Sequence, residues 1–168
     1  MPVQRLNHAV LYVREVDRSV DFYATTLGFR VVMSIPGRAA FLQAEGSTND
    51  HDLGLFAIGA DAGAPTAGSS TVGLYHLAWE VDTLGELARI EGVLREHGAL
   101  VGATDHGTTK ALYAKDPDGL EFEVSWLVPA RLLGEDAAPR MAALDLPAEI
   151  AHYGADTRGG IGVSVPVA

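Results

Sequence analysis

Residues 104–126 read TDHGTTKALYAKDPDGLEFEVSW, and the end of this stretch decides the fold. Phe122, Val124 and Trp126 are apolar, whereas the residues between them are polar and include Glu123. Side chains of a strand alternate between two faces, so this pattern predicts a strand with one buried face and one face that carries carboxylates. A carboxylate in mid-strand, in a chain that has histidines in similar settings elsewhere, favours a metal site.

Composition limits the kind of protein that this chain forms. Its 168 residues are 48% hydrophobic and 20% charged, which predicts one folded domain or two small halves that share a core. The net charge of −10 disfavours partners such as nucleic acids and anionic membranes. The absence of cysteine excludes disulfides, thiolate metal sites and cysteine nucleophiles.

The N-terminal sequence MPVQRLNHAVLYV does not resemble a secretory leader. No apolar run reaches the roughly 18 residues of a membrane span. A cytoplasmic protein without membrane association is therefore expected.

The first sixty residues predict a β-α-β-β-β module. Alternating or apolar runs predict strands, and a helical period that Gly28 terminates predicts the helix. The predicted elements are a strand at 6–13, a helix that Asp17 caps and Gly28 ends, and strands at 29–34, 39–44 and 53–58.

The same order of elements recurs after a linker rich in Gly, Ala and Ser at 61–72. Thr83 and Glu86 form a capping box for the second helix, which carries Leu84, Leu87, Ile90 and Leu94 on one face. Strands are predicted at 75–81, 99–103, 111–115 and 120–126. The chain thus divides into modules 1–60 and 73–128 of one domain, 1–128, and a C-terminal arm, 129–168, that is not an independent domain.

This duplication predicts an α+β fold in which two tandem βαβββ modules form a cup-shaped mixed β-sheet with helices outside. Equivalent strands of the two modules can then line one cup, where His8, His76 and Glu123 could meet. Glu80 and Glu121 share the inward parity of these residues and are alternative ligands at this point of the argument.

Two segments resemble the vicinal oxygen chelate superfamily, which includes glyoxalase I, fosfomycin and bleomycin resistance proteins, methylmalonyl-CoA epimerase and type I extradiol dioxygenases. The segments are SVDFYATTLGF at 19–29 and KDPDGLEFEV at 115–124. The resemblance spans 6–127, about three quarters of the chain.

A narrower pattern resembles the signature of the extradiol ring-cleavage dioxygenases, in particular their single-domain members. Residues 104–106 (TDH) are followed after five residues by Leu-Tyr at 112–113, then after two by Asp-Pro-Asp-Gly at 116–119, and after three by Glu123. The segment DHDLGL at 50–55 also resembles the part of that family that carries another active-site histidine.

The resemblance implies an Fe(II)-dependent extradiol dioxygenase that opens the ring of a catechol-type diol and inserts both atoms of O2. It implies His8, His76 and Glu123 as metal ligands, selecting Glu123 among the three glutamates, with Mn(II) as an alternative to Fe(II). His106 and Tyr113 would orient the diol, and His51 or His106 would move protons. The expected partners are the aromatic diol and O2, in a homo-oligomer active in aromatic catabolism.

Two other functions stay open. A glyoxalase-like or epimerase-like enzyme would need a fourth ligand from the last strand of the first module, but 53–58 (LGLFAI) contains no carboxylate. A binding protein of the bleomycin-resistance kind would need none of the three ligands. Pocket walls are predicted to include Met33, Phe41, Leu55 and the arm.

Overall fold

The computed structural model describes residues 2–3, 5–68, 70–134, 138–160 and 163–164. Contacts divide the chain into two compact units, Met1–Pro65 with Asp116–Gly119 and Thr66–Lys115 with Leu120–Ala168. Each unit contains a mixed sheet and a βαβββ order of elements, so the predicted α+β class with two tandem modules is confirmed.

The first unit holds a four-stranded sheet and one helix. Its strand order is β1-β4-β3-β2, with β1 parallel to β4 and the other pairs antiparallel. The elements are β1 Ala9–Val13, α1 Val16–Leu27, β2 Arg30–Ile35, β3 Ala39–Gln43 and β4 Leu53–Ala57. The predicted Gly28 terminates α1 in the left-handed conformation, at φ 72°. The predicted cap at Asp17 is wrong, because the N-cap is Glu15 and Asp17 lies in the first turn of the helix.

Burial in this sheet varies by strand: β1 alternates between buried and exposed residues, β2 is exposed throughout and β3 is mostly buried. Leu11 and Leu55 are buried, whereas Val10 and Tyr12 are 51% and 71% exposed. The prediction that Leu55 lines a pocket is therefore wrong, because its side chain is completely buried in the core of the unit. Met33, 54% exposed, is accessible.

The Asp-Pro-Asp-Gly turn at 116–119 belongs to the first unit. The Asp118 carboxylate accepts hydrogen bonds from the backbone and the guanidinium of Arg14, both at 2.8 Å, and pairs with Arg18. Burial alone would raise the pKa of Asp118, but the bonds and charges of the two arginines outweigh it and lower the pKa. Tyr23 donates to Asp116 at 3.2 Å. Asp116 and Asp118 thus fix the turn to α1 and to Arg14, which precedes this helix.

The second unit holds a five-stranded sheet of order β5-β8-β7-β6-β9, in which only β5 and β8 are parallel. Thr83 is confirmed as the N-cap of α2, since its hydroxyl accepts from the Glu86 amide at 3.2 Å, while the Glu86 carboxylate binds Arg89. All four predicted apolar residues of α2 are buried. The elements are β5 Leu77–Glu80, α2 Leu84–Glu96, β6 Leu100–Asp105, β7 Thr109–Lys115, β8 Glu121–Leu127, a short 3-10 helix Ala130–Leu132, β9 Ala142–Ala143 and α3 Leu146–Tyr153.

The arm segment, residues 138–160, packs on the second unit. Its strand β9 pairs with β6 and covers the edge of the sheet. Trp126 donates its indole N–H to the carbonyl of Thr157 at 3.0 Å, and its ring contacts Tyr153. None of the helices in the described part of the chain has the length and apolar character needed to cross a membrane.

A buried ion cluster, formed by Asp105, Lys110, Arg140 and Glu149, holds the arm segment in place. Lys110 is 1% exposed, and its Nζ lies 2.7 Å from Asp105 Oδ1 and 3.0 Å from Glu149 Oε2. Arg140 Nε donates to Asp105 Oδ2 at 2.8 Å. Burial opposes ionisation of Asp105, but hydrogen bonds from Lys110, Arg140 and the Gly107 amide lower its pKa to about 2.

The depressed pKa of Asp105 predicts a pH-dependent contribution to stability. At neutral pH, wild-type protein should exceed Asp105→Asn by about 2 kcal/mol in free energy of unfolding, because the native state favours the ionised carboxylate. This advantage should decline as the pH falls from about 5 towards 2, as Asp105 takes up its proton. Urea unfolding at several pH values measures the difference, with the exposed Asp156→Asn as control. A difference that is constant with pH contradicts the assignment.

Candidate metal centre and active site

Four of the six predicted site residues lie together in the second unit. They are His76, His106, Tyr113 and Glu123. Tyr113 and Glu123 are direct cross-strand partners in the antiparallel pair of β7 and β8. The parallel pairing of β5 with β8 sets Ala78 opposite Glu123, so His76, just before β5, reaches the same carboxylate.

His76 and Glu123 form the contact that suits a cation. Nε2 of His76 lies 3.3 Å from Oε2 of Glu123, while its Nδ1 is buried without a hydrogen-bond partner among the described residues. A hydrogen atom on Nε2 that is donated to the carboxylate, or a metal ion that both atoms bind, is compatible with this separation. Adjacent ligands of an octahedral ion, each at about 2.1 Å, lie about 3 Å apart, so the pair fits two neighbouring coordination positions.

Tyr113 links this pair to His106. The Tyr113 hydroxyl lies 2.9 Å from His106 Nε2, and it also forms a hydrogen bond with Glu123. Burial, followed by the charge and the hydrogen bond of Glu123, raises the pKa of Tyr113. The phenol therefore stays protonated near neutral pH, and a chain of polar groups runs from His106 through Tyr113 and Glu123 to His76.

A cavity of about 430 Å³ opens beside these groups, within the size range of small-ligand pockets. His76 and Tyr113 line it, together with Tyr75, Glu121 and Met141, among others. Sequence reasoning had assigned no role to Tyr75, although it precedes a predicted strand histidine. Its ring lies 4.7 Å from the His76 ring.

The two alternative glutamates lie in different settings. Glu121 lines the cavity and pairs with Lys115 at 3.4 Å. The Glu80 carboxylate packs closely against Gly160 of the arm segment. Glu123 is the one in contact with His76.

His8 and His51, the other two predicted residues, lie together in the first unit. Their ring centroids are 4.5 Å apart, and Phe41 contacts His51 edge-on at 5.1 Å. The parallel pairing of β1 with β4 sets Ala9 opposite Leu53, and His8 and His51 lie one and two residues before these paired strands begin.

The hydrogen bonds around these two rings differ. His8 Nδ1 lies 2.7 Å from Asn7 Oδ1, and donation to that oxygen leaves Nε2 with a lone pair available to a metal. His51 is paired through Nδ1 with Asp50 at 3.2 Å. The pKa of Asp50 is lowered chiefly by the hydrogen bond from the His51 amide, which together with the charge of His51 outweighs the opposing effect of burial.

The register of the first sheet shows which residue occupies the position equivalent to Glu123. Glu123 lies opposite Ala78 in the second unit, and the equivalent residue opposite Val10 in the first unit is Gly54. A Cβ at Gly54 would already lie 3.4 Å from the Val10 side chain. The described residues of each unit, taken by itself, contain no cluster of three metal-ligating side chains.

Residues 5–124 match the family model described as the glyoxalase/bleomycin resistance protein/dioxygenase superfamily. The chain belongs to this superfamily. The match spans both βαβββ modules up to β8, and it confirms the family expected from the two sequence motifs.

Two curated relatives within the superfamily are dioxygenases by name. The chain is 33% identical over 119 residues to a catechol-2,3-dioxygenase of Bacillus subtilis, covering 71% of this chain and 40% of the relative. It is 34% identical over 121 residues to biphenyl-2,3-diol 1,2-dioxygenase 3 of Rhodococcus globerulus, covering 71% and 62%. The chain thus spans less than two thirds of either relative.

Solved structures support the fold. A glyoxylase/bleomycin resistance protein/dioxygenase domain from Frankia sp. EAN1pec superposes with a TM-score of 0.65 at 20% identity, covering 77% of this chain and 96% of that domain. At this identity the likeness concerns the fold alone.

The contacts of Tyr113 predict an unusual phenol titration. In metal-free protein its pKa should lie above the ordinary value of a tyrosine, and Glu123→Gln should lower it because the negative charge is removed. Phenolate absorbance followed against pH measures this, and subtraction of the Tyr113→Phe curve isolates the component. If that component titrates near the ordinary value of about 10, the described environment is wrong.

Proposed function

We propose that the protein is an extradiol ring-cleavage dioxygenase that opens a catechol-type diol and inserts both atoms of O2. The observation that carries the proposal is the contact of His76 with Glu123, beside which Tyr113 and His106 form a hydrogen-bonded pair. The names of the two dioxygenase relatives support the same reaction class.

In this proposal His76 and Glu123 hold Fe(II), and His8 supplies the third ligand through Nε2. Two imidazoles and one carboxylate form the ligand set typical of non-haem Fe(II) oxygenases, which leaves positions open for substrates. Mn(II) suits the same donors. When bound, the metal supplies one centre at which an aromatic diol and O2 are activated together.

The chain's own residues would bind the diol and move its protons. The protonated Tyr113 hydroxyl can donate a hydrogen bond to a diol oxygen, and His106 on its other side can accept or return a proton. An imidazole suits this role because its ordinary pKa lies near neutrality. His51, whose ring contacts that of His8, is the second candidate for proton transfer.

The position of Gly54 in β4 argues against the glyoxalase-like alternative. Such an enzyme would draw a fourth ligand from β4, and the register places a residue without a side chain at the equivalent position. A ligand set of three protein groups, with room for both substrates, is therefore the arrangement that the residues favour.

The proposal predicts O2-dependent turnover of catechols. Metal-free protein is loaded with Fe(II) under anaerobic conditions, mixed with a panel of catechols and exposed to air. Equal amounts of diol and O2 should be consumed, with formation of a coloured ring-opened product.

The matched control is the same protein loaded with Zn(II) or Ni(II), which should not consume O2 because neither ion supports this chemistry. Iron-loaded protein that opens none of the catechols contradicts the proposal. Isomerisation of a thiol adduct by the nickel-loaded protein, without O2, would favour the glyoxalase-like alternative.

A further inference from the structure

The arm segment lies directly on the turn that carries His106. The Arg140 amide donates to the carbonyl of His106 at 3.1 Å, and β9 continues from this contact along β6. Gly107 follows His106 with φ of +82°, and a Cβ there would lie 2.5 Å from the carbonyl oxygen of Ala138. Only glycine allows this close approach of the arm to the turn.

The buried ion cluster joins the same turn to the arm. Asp105 immediately precedes His106, and its Oδ1 accepts from the Gly107 amide at 2.7 Å as well as from Lys110. Its Oδ2 accepts from Arg140. One carboxylate therefore fixes the turn on both sides of His106 and ties it to the arm.

The buried ion cluster opposes displacement of the arm from this position. The arm supplies Arg140 to Asp105 and Glu149 to Lys110, so each buried member of the cluster has a partner of opposite charge in the arm. If the arm moved away, Lys110 would keep Asp105 as its partner in the cluster but would lose Glu149, deep in the unit. Removing one partner of a buried ion pair is strongly unfavourable.

The segment also reaches the cavity. Met141, next to Arg140, lines it together with His76 and Tyr113. Arg140, which helps to hold the arm, and Met141, which lines the cavity, are thus adjacent in sequence.

We propose that Arg140, acting with the buried ion cluster, is a positioning residue that holds His106 in hydrogen-bonding contact with Tyr113. The proposal rests on the proposed function only for its kinetic consequence. The contact of His106 with Tyr113 exists in the protein without metal or substrate and can be followed there.

Arg140→Ala tests this role. The Arg140 side chain is 58% exposed, so its loss should leave the fold intact while removing the bonds that tie Asp105 Oδ2 to the arm and loosening the turn. With Fe(II) and catechol, kcat should fall about tenfold because the proton-transfer group is misplaced. KM should stay within about twofold, since the groups that bind the diol are unchanged.

A second readout does not depend on activity. In metal-free protein, the imidazole nitrogen resonances of His106, assigned with His106→Asn, should shift in Arg140→Ala as the bond to Tyr113 is lost part of the time. Arg140→Lys, which can still pair with Asp105, should restore both kcat and the resonances in part.

Arg158→Ala is the matched control, because Arg158 is another exposed arginine of the arm and pairs with Asp82. It should change neither kcat nor the His106 resonances. Wild-type resonances in Arg140→Ala, or equal losses in both variants, overturn the proposal. If wild-type protein cleaves no catechol, the proposed function fails, and the resonances still decide the role of Arg140.

Discussion

The parallel pairing of β5 with β8 is the constraint on which the site depends. It connects a first strand to a last strand of the same module, and it thereby sets His76, from the start of one strand, against Glu123, in the middle of the other. The antiparallel pairing of β7 with β8 then brings Tyr113 to the same carboxylate. A shift of one residue in either pairing would turn Glu123 towards the core, because neighbouring side chains of a strand lie on opposite faces.

The two faces of the second sheet carry different kinds of residue. Glu121 and Glu123 belong to the face with the cavity, whereas Phe122, Val124 and Trp126 are buried. Lys110 also lies on the buried side, and its ion pairs with Asp105 and Glu149 offset the cost of burying its charge. The turn at residues 105–107 connects these two sets of contacts. Asp105 binds Arg140 of the arm segment, and the neighbouring His106 forms a hydrogen bond with Tyr113.

Much of this arrangement could be predicted from the sequence. The helices and strands could be predicted because they have local signals with physical causes. These signals are the alternation around Glu123, the cap at Thr83 and Gly28 after the first helix. The duplication gave the tandem modules. Strand ends were less accurate, and β1 begins at Ala9, so that His8 precedes the strand.

The parts that sequence reasoning missed depend on distant residues. The strand β7 was predicted to begin at Ala111, which left Lys110 outside it, although alternation with Leu112 and Ala114 would have placed a lysine on the buried face. Its partner Glu149 lies far away in the arm, and no local pattern connects the two. Leu55 was assigned to a pocket wall because the apolar run LGLFAI does not show which face is covered.

The central claim is that His8, His76 and Glu123 share one metal ion. The most direct test is the metal content of protein purified without chelator, compared among His8→Ala, His76→Ala, Glu123→Ala and, as control, Glu121→Ala. The account predicts close to one iron or manganese per chain in wild type and Glu121→Ala, and a loss of about tenfold or more in metal affinity in the other three. Full metal content in Glu123→Ala, or an equal loss in Glu121→Ala, would contradict it.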